Sequence, residues 1–181
     1  MYRHHEPFVE RGLVPTAPIE VACDIDVAAS DVWEAISESG NLTNVHPFCE
    51  SNDVERWPGL DSRDHVRYYS GLHYERDMLE WREGTGYDLS LGPPSGKIAI
   101  ASWSIEPTGG DRCRFAIEVT SFLRSDVGSR ARERYEQDVI QGAIPPYLDS
   151  VVRGVGHYCE TGMPVTRNQF GPHKIYSPAT G

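Results

Sequence analysis

Apolar and polar residues alternate along Ile19-Glu20-Val21-Ala22-Cys23-Asp24-Ile25-Asp26-Val27, with the odd-numbered side chains on one face. A period of two predicts a half-buried strand. The pattern then becomes helical. Ser30 reads as an N-cap, Asp31 complements the helix dipole, and Val32, Trp33 and Ile36 share a face. A short helix is therefore expected to about Ser39, closed at Gly40. Asn41 to His46 predicts one more helical turn, stopped by Pro47.

From Phe48 the pattern is a meander of strands separated by turn residues. Strands are expected over Cys49 to Trp57, His65 to Ser70, Leu72 to Arg82, Tyr87 to Leu91, Lys97 to Glu106 and Arg112 to Phe122. Pro58-Gly59, Gly71, Gly84-Thr85-Gly86, Gly92-Pro93-Pro94-Ser95-Gly96 and Gly109-Gly110 supply the turns. Short turns between successive strands imply an antiparallel sheet. In the last strand Cys113, Phe115, Ile117 and Val119 fall on one face.

Beyond Ser125 the spacing is helical again, with Ala131, Tyr135, Val139 and Ala143 on one side. Pro145-Pro146 cannot continue that helix, since proline lacks the N–H and clashes with the preceding turn. A break is expected there, with Pro146 in the first turn of a second helix. This helix carries Tyr147, Leu148, Val151, Val152, Val155 and Tyr158 on a broad stripe, and Gly162 ends it. The order of elements predicts an α+β domain over residues 19–162, in which a curved antiparallel sheet grips a long C-terminal helix around an apolar cavity. Residues 1–18 read as an extended N-terminal arm and 163–181 as a C-terminal tail on the surface.

Charge and composition narrow the partners. The 181 residues carry 17 Lys+Arg against 27 Asp+Glu, a formal charge of −10. Such a field repels polyanions, so neither nucleic acid nor an anionic membrane is expected as a partner. No apolar run approaches the roughly 20 residues that span a bilayer. Met1-Tyr2-Arg3-His4-His5-Glu6-Pro7 lacks the basic start and apolar core of a secretory signal, which points to the cytoplasm. Cys23, Cys49, Cys113 and Cys159 are scattered without a CxxC pair and read as reduced thiols. There is no P-loop, GxGxxG, HExxH or GxSxG, and no histidine pair at helical ligand spacing. No metal or other cofactor is expected.

The segment Ile19 to Phe48, "IEVACDIDVAASDVWEAISESGNLTNVHPF", resembles the START-like, SRPBCC or helix-grip superfamily, whose members include polyketide cyclase/dehydrase-like proteins. The likeness continues through "LEWREG" (Leu79 to Gly84), "ASWSIEP" (Ala101 to Pro107) with its following Gly-Gly-Asp, and the apolar helix from Pro146. It covers most of residues 19–162. It implies the helix-grip fold and a cavity for a small hydrophobic or aromatic molecule. It does not select one activity, because the superfamily holds carriers, receptors and cyclases.

On this alignment Met78 faces inward, and Tyr74 and Arg76 with it. A buried Arg76 then needs a carboxylate, Glu118 or another on a strand, or an anionic ligand. His46 falls where the superfamily places its cavity mouth, and a neutral imidazole there is a candidate general base. Tyr74 or Arg76 would stabilise an enolate, and Tyr68 is a second candidate phenol donor. Met78, Trp103, Phe115, Ile117, Tyr147 and Val151 complete the expected ligand-binding set. Two readings compete: a cofactor-independent cyclase/dehydratase, and a non-catalytic carrier or sensor of a lipid or hydrophobic metabolite. The arm and tail are also candidate clasps for a homodimer.

Overall fold

The structure, a computed structural model, describes residues 4–179. Its centre is an eight-stranded antiparallel sheet. In chain order the elements begin with helix α1 (Glu6–Glu10), strands β1 (Leu13–Pro15) and β2 (Ile19–Ile25), and helices α2 (Ala29–Ser37) and α3 (Leu42–Val45). Strands β3 (Cys49–Arg56), β4 (Arg63–Tyr68), β5 (His73–Arg82), β6 (Gly86–Gly92), β7 (Ala99–Pro107) and β8 (Cys113–Arg124) follow. Helix α4 (Ser129–Tyr135), a π-helical turn (Glu136–Gln141) and helix α5 (Ile144–Thr161) complete the chain's regular structure. Neighbouring strands run β3-β4-β5-β6-β7-β8, and β2 and β1 share the other side of β8.

The inner face is set by alternation. Cys113, Phe115, Ile117 and Val119 of β8 are buried beside Ala101, Trp103 and Ile105 of β7. The parity of β5 changes along its length. Arg76 and Met78 point inward, then the pairing with β6 shifts between Met78 and Glu80. After this bulge Trp81 joins the core and stacks on Tyr87 with ring centroids 5.8 Å apart. A bulge adds a residue to one strand and reverses which side chains face in.

Helix α5 lies across the inner face against β2. Ile144, Pro145 and Pro146 form its first turn, where the prolines forfeit no helical hydrogen bond, and Gly162 ends it with φ +70. Gly154 lets α5 approach α3 closely, since a Cβ there would stand 2.1 Å from the Val45 carbonyl oxygen. The preceding π turn shifts the helical phase, so Ile140 is fully buried where the spacing singles out Val139.

Three expectations need correction. The N-cap of α2 is the extended residue Ala28, and the Ser30 hydroxyl instead contacts the Asp31 carboxylate at 3.4 Å. The arm is not extended throughout. Its helix α1 sets Phe8 on Phe122 of β8, with ring centroids 4.0 Å apart, and β1 pairs with the end of β8. Phe8, Leu13, Ile100 and Phe122 thereby form a small second core, whose β7 and β8 members have the opposite parity to the inner face. The tail does not only follow the surface: His173, Tyr176 and Ser177 are buried.

Candidate functional site

The inner face of β4 to β8 does not close fully on α5. A small cavity remains between them, lined by Leu42, His46, Tyr68, Arg76, Leu89, Leu91, Ala101, Trp103, Ile117, Val119, Tyr147, Leu148 and Val151. Its volume of about 40 Å³ is room for a few waters; one water needs roughly 10–15 Å³ by the same measure. Most of the wall is aliphatic or aromatic. The polar groups gather at one end.

That end is built from three elements. The turn from α3 through Pro47 delivers His46, the last residue of β4 is Tyr68, and the first turn of α5 supplies Tyr147. The backbone N–H of Phe48 donates to His46 Nδ1 at 3.2 Å, and His46 Nε2 lies 2.9 Å from Tyr147 Oη. Because a backbone N–H can only donate, Nδ1 is the acceptor and the proton of the neutral ring sits on Nε2. His46 therefore donates to Tyr147. The Tyr147 hydroxyl in turn lies 3.3 Å from Tyr68 Oη, and either hydroxyl can donate to the other. His46, Tyr147 and Tyr68 thus form one hydrogen-bonded chain, and all three line the cavity.

Burial keeps these groups neutral. Desolvation, reinforced by the positive charge of Arg76, pushes the His46 pKa down to about 3. Burial, with the neighbouring Tyr147 and Tyr176, raises the Tyr68 pKa well above the usual phenol value. Tyr147 is raised by the same desolvation.

Arg76 lines the cavity as a buried cation. Its partner is not Glu118 but Asp64, which sits directly opposite on β4. Nε donates to Asp64 Oδ1 at 2.8 Å and Nη2 to Oδ2 at 2.5 Å, and the Asn52 side chain donates to Oδ2 at 2.9 Å. Burial alone would raise the Asp64 pKa, but the Arg76 charge and these hydrogen bonds hold it below the ordinary carboxylate value. Glu118 has the opposite parity to Ile117 and Val119 and faces away from the cavity.

Of the remaining residues singled out from the sequence, Trp103, Ile117, Tyr147 and Val151 line the cavity, whereas Tyr74, Met78 and Phe115 do not. Tyr74 packs edge-on against Tyr68 at 5.5 Å and reaches Tyr176. Phe115 lies in the core beside Trp103, edge to face at 5.6 Å. The sequence reading missed Asp64, whose place opposite Arg76 follows only from the β4–β5 register. It also missed the aliphatic wall of Leu42, Leu89, Leu91, Ala101, Val119 and Leu148.

Among the described residues, His4, Glu80 and Asp88 bring potential metal ligands together. Arg82 already meets both carboxylates, at 3.6 Å from Glu80 and 2.9 Å from Asp88, so a cationic group occupies that position. No helix of the described residues is long and apolar enough to cross a membrane.

A curved antiparallel sheet closed over a long C-terminal helix, with a cavity between them, is the helix-grip fold. No family model and no curated protein matches the chain. Solved structures do. Norcoclaurine synthase from Thalictrum flavum, in complex with dopamine and hydroxybenzaldehyde, superposes with a TM-score of 0.61 at 12% identity, over 81% of this chain and 87% of that one. Ara h 8.0201 matches with a TM-score of 0.54 at 15% identity, over 83% and 99%. The di-domain ARO/CYC protein BexL of the BE-7585A biosynthetic pathway gives 0.61 at 11% identity, over 79% of this chain and 47% of that one. At these identities the likeness is one of fold.

Proposed function

We propose that the protein binds a small, largely apolar molecule carrying a carbonyl or phenolic oxygen in the cavity between sheet and α5. The observation that carries this is the hydrogen-bonded chain of His46, Tyr147 and Tyr68, which places two phenol hydroxyls in a largely apolar wall. An apolar site with a few convergent polar groups is the usual form of a small-molecule pocket. The norcoclaurine synthase and ARO/CYC structures of the same fold support this reading by analogy.

In its finer form the reading is a cyclase/dehydratase-like enzyme. The Tyr68 hydroxyl would stabilise a developing enolate oxygen, with the Arg76 charge behind it, and His46 would orient Tyr147 and Tyr68 rather than accept a proton directly. A carrier or sensor role is the second reading, and one observation favours it: both ring nitrogens of His46 are engaged, so the site presents no free imidazole base.

Tyr68→Phe tests both forms. A neutral hydrogen bond is worth about 1 kcal/mol, so the variant is expected to bind an aromatic ketone about fivefold more weakly than wild type. It should bind the matching hydrocarbon equally well. Equal loss for ketone and hydrocarbon, read by calorimetric titration, would contradict the role of the hydroxyl. In an enzyme the same variant should also lose on the order of a hundredfold in kcat; in a carrier the ligand is recovered unaltered.

A further inference from the structure

The segment after Gly162 returns across the polar end of the cavity. The N–H groups of Val165 and Asn168 donate to the carbonyls of Asn44 and Pro47, on either side of His46, at 2.9 and 3.0 Å. His173 donates from Nε2 to the Ala143 carbonyl at 3.0 Å and accepts the N–H groups of Ile175 and Tyr176 on Nδ1, both at 3.3 Å. Ser70 N–H donates to the Tyr176 carbonyl at 3.0 Å. These bonds hold the Tyr176 side chain within a group of aromatic rings. Its centroid lies 4.4 Å from Tyr147, 4.8 Å from Tyr68, 5.1 Å from His173 and 6.3 Å from Tyr74. Tyr74 and Tyr176 lie close enough for each to perturb the other's phenol.

We propose that this cage is an aryl-binding site which the chain fills with its own Tyr176, and that a phenolic ligand takes the cage by displacing the C-terminal segment. The inference rests on the cavity being a ligand site, and it names the class of ligand. Four rings surround one flat ring, and the Tyr74 phenol is among them, which suits a phenolic guest. Tyr68 and Tyr147 belong both to the cage and to the cavity wall, so a ring in the cage has the rest of its ligand in the cavity.

Displacement is also a matter of space. The closed cavity of about 40 Å³ is far smaller than the roughly 150 Å³ of a cavity that takes benzene. A ring-sized ligand needs the volume that Tyr176 fills. Among its described residues, the segment that must move has no helix and no strand beyond the single bridge between His173 and Ser177.

The test titrates the full-length wild type and Tyr176→Ala with p-cresol and with 4-methylcyclohexanol by calorimetry. Tyr176→Ala is expected to bind p-cresol at least tenfold more tightly than wild type, and at least fivefold more tightly than it binds the cyclohexanol. Equal p-cresol affinity in the two proteins overturns the proposal, as does equal affinity for the two compounds. If Tyr176→Ala does not fold, amide exchange of wild type decides. Saturating p-cresol should speed exchange at Ser70, whose N–H is held by Tyr176, and unchanged exchange at the highest p-cresol concentration overturns the proposal. One-to-one adducts of an aromatic ketone in native mass spectrometry without faster Ser70 exchange would leave the cavity as a ligand site and remove the cage alone.

Discussion

Asp64→Ala is expected to cost about 3–5 kcal/mol of folding stability, the cost of leaving one member of a buried ion pair alone. The side chains of Arg76 and Asp64 are 7% and 1% exposed, so the pair lies out of reach of bulk water. Arginine does not shed its proton at any ordinary pH. The orphaned guanidinium would face Tyr68, Leu89 and Trp103 across the cavity, without a counter-charge. The double variant Arg76→Met/Asp64→Leu removes both charges at similar volume and should recover most of the loss, because a buried pair and an apolar replacement are close in free energy. Urea unfolding of the three proteins checks this. A loss below about 1 kcal/mol for Asp64→Ala would show that the pair is hydrated and that Arg76 is not a buried cation.

The second large effect is acid destabilisation well above the carboxylate range. The His46 pKa of about 3 in the folded chain lies below the ordinary value of 6.5. The unfolded chain therefore takes the proton first. The stabilisation is complete above pH 6.5 and is lost progressively as pH falls toward 3. Each unit in that window costs up to about 1.4 kcal/mol, so lowering the pH from 6.5 to 4.5 should remove about 2 kcal/mol.

His173 adds a loss of the same sign, since burial lowers its pKa and its Nδ1 must stay free to accept two N–H groups. Asp64 contributes nothing in this window, because its lowered pKa confines its loss to pH below 3.8. Glu118, whose pKa burial raises, works weakly in the opposite direction. Urea midpoints of wild type and His46→Gln between pH 7.5 and 4.5 test this. Wild type should fall steeply and the variant much less. Parallel curves would contradict the buried neutral imidazole.

Much of the fold is legible because its inner residues repeat with a simple period. Cys113, Phe115, Ile117 and Val119 declare the inner face of β8, and the parity they set also rules out Glu118 as the partner of Arg76. Pro145-Pro146 and Gly162 mark the ends of α5 through backbone chemistry that no tertiary contact can override. β5 is harder to read. His73 to Arg82 has no uniformly apolar face because the bulge between Met78 and Glu80 exchanges its faces midway, and neither residue type nor spacing announces a bulge. The pairing of Arg76 with Asp64 depends on cross-strand register, which is a property of two strands together.

The tail is the least legible part. Tyr176 and His173 stand among Pro, Gly and polar residues without periodicity, and their burial comes from contacts with Tyr68, Tyr74 and Tyr147, which are distant in sequence. The N-terminal arm shows the same limit. Phe8 finds Phe122 only after the sheet exists to present it.

The central claim, that the space between sheet and α5 binds a small apolar molecule, is tested most directly by native mass spectrometry. Wild type and Ala101→Leu would be presented with the same series of aromatic ketones and phenols. Ala101 lies on the cavity wall, so a leucine there occupies the site while keeping the core apolar. The account predicts one-to-one adducts on wild type that disappear from a folded Ala101→Leu protein. Equal adducts on both proteins, or none on wild type with any compound of the series, would contradict it.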